Sequence, residues 1–172
     1  MGDKALNLTS NCVKTDPQNR ICQYAYGVYL LKREQFGEAI EHLKATIDLE
    51  PANIDEMYKD ATYNLGVANL NWGVGMKEAA EKKAEEERKA NKGKKGKQKE
   101  VPEDMSFKEK FKAAVPYFER TAELRNDDAN IYQQLGRLYA NLNMSKEAKA
   151  AFETADKLLK ASKRYSSTKV FR

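Results

Sequence analysis

The stretch Tyr132-Gln-Gln-Leu135-Gly136-Arg-Leu-Tyr139, followed by Ala148-Lys-Ala-Ala-Phe152 and then Ala155, decides how this chain is read. Its larger apolar residues recur three and four positions apart, the spacing that gives a helix one buried face. Gly136 on the first helix and Ala148 on the second carry almost no side chain, so two helices can cross there at close range. Phe152 fills the space beside that crossing.

Working outward, the same frame fits three earlier segments. One runs Tyr26-Gly27-x2-Leu30, then Ala39-x3-Leu43, Thr46 and Pro51. A second begins at Leu65-Gly66 and finds its other half far downstream, at Ala114-x3-Phe118 and Thr121. Ala5, Thr9, Cys12 and Pro17 fit as a lone second helix, and Pro17 and Pro51, 34 residues apart, each follow an acidic residue and end a helix. In spacing and residue type the chain resembles the tetratricopeptide-repeat (TPR) family. The departures are Asn69 where a large residue is usual, Thr46 and Thr121 at small-residue sites, and Asn126 in place of the closing proline.

The resemblance implies an all-α solenoid of TPR helical hairpins, with a long helical-hairpin insertion inside the second full repeat. A repeat of this kind cannot bury its apolar face alone, so stacking stabilises the array. The expected layout is a single domain over 1–172: a lone helix at 1–19, repeats at 20–53, 54–128 and 129–162, and a basic tail at 163–172. The lone leading helix leaves open whether further repeats precede it.

The insertion falls at about 73–108, because the distance from Gly66 to Gly136 exceeds one period by 36 residues. Residues 76–90 are rich in Ala, Glu and Lys, so the first helix should run well past its usual end. Gly73 and Gly75 are expected to let that arm bend. Ser106 or Asp104 could cap a returning helix whose stripe is Phe107, Phe111, Val115 and Phe118. The facing stripe is expected from Leu65, Trp72, Met76, Ala79 and Ala80. Between the arms lies a basic tip of Arg88, Lys89, Lys92, Lys94, Lys95, Lys97 and Lys99. The Tyr63–Val67 and Ala114–Glu119 segments around a charged insertion resemble interrupted-TPR proteins of Bacteroidetes-type bacteria. That narrower resemblance implies the periplasm or cell envelope where an export signal has been removed, and otherwise the cytoplasm.

Composition narrows the function. Of 172 residues, 41% are apolar and 33% charged, which suits a packed core under strongly solvated helix faces. The formal charge of +5 is carried by the tip, and the rest of the chain is nearly balanced. Two cysteines and one histidine cannot supply a four-ligand structural zinc site, so no metal or other cofactor is expected. There is no run of about 18 apolar residues to span a membrane. His42 lacks a nucleophile at a recognisable spacing and reads as a solvated surface residue, which argues against an enzyme. Cys12 reads first as a small packed residue and second as a disulfide partner of Cys22.

What remains is a surface for another protein. Carried over residue by residue, the TPR resemblance places ligand-facing positions on the first helix of each repeat. These are Tyr24, Val28, Leu31 and Lys32, then Tyr63, Val67, Leu70 and Asn71, then Gln133, Arg137, Ala140 and Asn141. The Lys and Asn clamp for a carboxylate found in chaperone-binding members is missing, since Tyr24 and Val28 stand there. A protein-interaction scaffold binding a peptide or helix in this groove is the leading function. A nucleic-acid-associated adaptor using the basic tip is the runner-up, although no aromatic side chain lies between Arg88 and Lys99 to stack on bases. Self-association through the array ends is left open.

Overall fold

The computed structural model describes residues 2–50, 52–91 and 105–169, and among them there are seven helices and no strand. They are α1 (Gly2–Thr15), α2 (Arg20–Lys32), α3 (Phe36–Asp48), α4 (Glu56–Asn91), α5 (Phe107–Leu124), α6 (Ala129–Asn141) and α7 (Ser145–Lys169). The first helix of every hairpin starts on a side chain that accepts an otherwise orphaned backbone N–H. Asn19 accepts from Cys22 N at 3.1 Å, Asp55 from Tyr58 N at 2.8 Å, and Asp128 from Asn130 N at 2.9 Å.

α2 pairs with α3, α4 with α5 and α6 with α7, while α1 lies on α2; α3–α4 and α5–α6 contacts stack the hairpins into a solenoid. Each crossing is built on a missing side chain. A Cβ on Gly27 would lie 2.9 Å from Leu43 Cγ, one on Gly66 3.1 Å from the Phe118 ring, and one on Gly136 2.6 Å from the Phe152 ring. Ala39 and Ala114, completely buried, are the small residues of the facing helices in the first two hairpins.

The turns explain how one helix became long. α2 and α6 end on Glu34 (φ 61°) and Asn143 (φ 62°), each seven residues after its crossing glycine. There the next N–H reaches back to the helix, Gln35 N to Leu30 O at 3.0 Å and Met144 N to Tyr139 O at 2.9 Å, which closes the helix end. The residue seven after Gly66 is Gly73, well suited to a left-handed turn, yet α4 continues through it to Asn91. The helix is therefore unbroken at Gly73 and Gly75. Phe111 of α5 occupies the space instead, 2.7 Å from where a Gly73 Cβ would sit. Gly73 thus acts as a second crossing point that joins the arm to its return helix. Ser106 stands at the N-cap of α5 but makes no side-chain cap bond, and Asp104 lies outside the described residues.

The expected facing stripe is only partly as read. Met76 packs against the core cluster that includes Phe107 and Phe111, but Leu65 turns to Leu43 and Ala61, and Ala79 is exposed. Trp72 lies over Gly37 of α3, with Lys110 Nζ 3.3 Å above its ring, so it ties the arm's base to the preceding hairpin. The polar departures are satisfied locally. Thr46 and Thr121, both fully buried, donate to His42 O at 2.9 Å and Tyr117 O at 2.7 Å, and Asn69 donates to Leu65 O at 2.9 Å. Each thereby avoids the cost of an unmatched buried donor.

Candidate protein-binding surface

Successive first helices α2, α4 and α6 supply the predicted groove positions, and the structure gives each a distinct environment. Tyr24 and Val28 are half-buried and pack beside Leu43, Ala61 and Leu65. The Tyr24 hydroxyl also bonds Asp60, so burial first and the Asp60 charge second raise its pKa. Tyr63 meets Phe118 edge-on at 5.8 Å, and Val67 and Leu70 lie against the larger core cluster. Leu31 is half-buried, while Lys32, exposed, reaches over the Tyr29 ring at 5.9 Å. Of the third set, Gln133 is half-buried and Arg137 and Asn141 are exposed. Asn141 joins two helices, since its Oδ1 accepts from Lys77 Nζ at 3.3 Å. Asn71 is exposed.

Two apolar side chains were missed by the sequence reading. Ile21 is 65% exposed and Val74 38% exposed. Ile21 precedes Tyr24 by three residues and Val28 by seven, and Val74 follows Leu70 by four and Val67 by seven, so each extends its helix's stripe by one turn. That spacing was the available signal.

A charged seam next to these residues had no counterpart in the sequence analysis. Arg20 is buried at the start of α2 and donates Nε to Thr46 O at 3.0 Å. Its two terminal nitrogens bond both oxygens of Asp55. Arg125, at the end of α5, bonds Asp60 at 2.7 Å and Glu56 at 3.0 Å. Arg20 thus joins the first hairpin to the start of α4, Arg125 fastens α5 to its own partner α4, and both are already engaged by carboxylates.

Two further readings change. His42 is half-buried rather than solvated. Its ring lies 4.7 Å from that of Tyr26 and its Nδ1 is 2.7 Å from Gln23 Oε1, and loss of solvent lowers its pKa. Cys12 is not merely a small packed residue, because it is bonded to Cys22 in a disulfide. In the basic tip, Arg88 and Lys89 are exposed on the last turn of α4, with Lys89 paired to Glu85 at 2.6 Å. Lys92, Lys94, Lys95, Lys97 and Lys99 lie outside the described residues.

Stacked two-helix hairpins with glycine crossings define a helical-repeat solenoid, the class that presents extended surfaces to protein partners. The family model described as tetratricopeptide repeat matches residues 129–158, the α6–α7 hairpin. The match is to that hairpin, and α2–α3 and α4–α5 share its glycine-crossed architecture. Among solved structures it is similar to MamA MSR-1 C2, with a TM-score of 0.64 and 17% identity over 94% of this chain and 69% of that one. MamA AMB-1 C2221 gives a TM-score of 0.62 and 17% identity over 91% of this chain and 68% of that one. At such identities the likeness is one of fold. No curated protein matches the chain. Among the described residues no helix is long and apolar enough to cross a membrane.

Proposed function

We propose that the face shared by α2, α4 and α6 binds a peptide or amphipathic helix of another protein. The observation that carries this reading is the pair of aligned stripes, Ile21-Tyr24-Val28-Leu31 and Tyr63-Val67-Leu70-Val74, whose ends Ile21 and Val74 are left exposed. An apolar ligand face laid along both would cover them, while Gln133, Arg137 and Asn141 would meet its polar part. The repeat boundaries at 20–53, 54–128 and 129–162 belong to the same reading.

Because Tyr24 and Tyr63 also hold hairpins together, the informative substitutions are at the exposed ends. With an isolated partner, Ile21→Asp combined with Val74→Asp is expected to weaken binding by about 1–3 kcal/mol in calorimetry. Helicity by circular dichroism should stay unchanged, and deletion of residues 92–99 should leave affinity intact. Normal binding by the double variant, with loss on tip deletion, would move the function to the inserted arm.

A further inference from the structure

We infer that α1 is a releasable cap on the first hairpin, held in place by the Cys12–Cys22 disulfide and freed when a dithiol reduces it. The bond joins the last turn of α1 to the first turn of α2 across ten residues of sequence. Apart from it, α1 rests on α2 through side chains that are at most half-buried. No side chain from Lys4 to Thr15 is fully buried, and Leu8 is 65% exposed, whereas Leu43, Ala61 and Leu65 in the next layer are completely covered. A free helix of this length is marginal in water. The hydroxyls of Thr9 and Thr15 bond only carbonyls of α1 itself.

The linker is anchored independently of α1. Gln23, buried, donates Nε2 to Pro17 O at 2.7 Å, while its Oε1 engages His42 Nδ1 at 2.7 Å, tying the linker to both α2 and α3. Opening would therefore hinge ahead of Pro17 and leave the hairpin intact. Ala25, Tyr26 and Tyr29, at three, four and seven residues from Cys22, share its side of α2 and are all half-buried, so they are the surface such an opening would bare. Chemically, one thiolate of the reductant attacks a sulfur of the bridge and the S–S bond breaks to a mixed disulfide. The second thiol then displaces it, leaving Cys12 and Cys22 as thiols and the reductant as a disulfide, with two electrons and two protons transferred. The capped form belongs to an oxidising compartment.

The test is amide hydrogen exchange on the full chain, air-oxidised, treated with dithiothreitol, and as the Cys12→Ser/Cys22→Ser variant. Exchange in residues 4–15 is expected to accelerate at least about tenfold in the reduced chain and the variant, with α6 unchanged. Unchanged exchange in α1 would overturn the proposal. So would equal acceleration in α6, which means global unfolding, or ready alkylation of both cysteines in the air-oxidised chain, which means the bridge does not form.

Discussion

Arg20 grips Asp55 with both ends of its guanidinium, Nη1 to Oδ2 at 2.7 Å and Nη2 to Oδ1 at 2.8 Å, across 35 residues of sequence. The same carboxylate caps α4 by accepting Tyr58 N–H. One residue thus starts the long helix and fastens it to the hairpin before it. The Arg20 bonds, and next the Tyr58 N–H, hold the Asp55 carboxyl at about 2. Because that value is depressed, its contribution to stability is present above the ordinary carboxylate range and is lost as pH falls toward 2. Asp55→Asn should flatten the acid limb of stability measured by urea unfolding between about pH 4 and 2. Arg20→Met, which strands Thr46 O and Asp55, should lower Tm by about 2–4 °C.

The glycines should separate by what faces them. Gly73→Ala must displace the Phe111 ring, which is 1% exposed and has nowhere to go, and should cost about 1–3 kcal/mol despite alanine's better helix propensity. Gly136→Ala meets Phe152, which is 39% exposed and can swing outward, so its cost should be smaller. Gly75 has nothing within 4 Å, and Gly75→Ala should stabilise by about 0.4–1 kcal/mol. Denaturant titration of the three variants checks the order, and a destabilised Gly75→Ala would contradict the continuous α4.

His42 gives a second pH dependence of opposite origin. Desolvation lowers its folded pKa below the free value, so the unfolded chain binds the proton more readily. Stability should fall as pH drops from about 7 through the ordinary histidine value near 6.5, and level off below the folded pKa. His42→Gln should remove this component, as thermal melts from pH 7.5 to 5 would show. An unchanged slope would mean that carboxylates account for it.

Limited trypsin digestion should cut first after Arg88 or Lys89, which are exposed on the last turn of α4. The two fragments are expected to stay associated through size-exclusion chromatography, because Gly66–Phe118, Gly73–Phe111 and Met76 hold the arms together below the cut. Resistance at Arg88 and Lys89 at low protease would contradict the exposed arm.

The sequence by itself determined the repeat: crossing glycines, facing alanines and fillers such as Leu43 and Phe118 recur at fixed spacing because helix packing needs them there. It also located the insertion, since the excess length between Gly66 and Gly136 has to leave the frame. Tertiary structure alone decided what depends on partners distant in the chain. Gly73 occupies the position of a helix-ending turn, and only the arrival of Phe111 from α5 makes a continuous helix the better-packed choice. Cys12 and Cys22 have ordinary spacing, and their bonding required α1 to lie against α2. His42 looked solvated until Tyr26 and Gln23 of the neighbouring helix covered it, and Arg20 carried no motif because its partners, Thr46 of α3 and Asp55 at the cap of α4, lie far along the chain. Local periodicity reports which face of a helix is buried, whereas the identity of the group that buries it is set by how the hairpins stack.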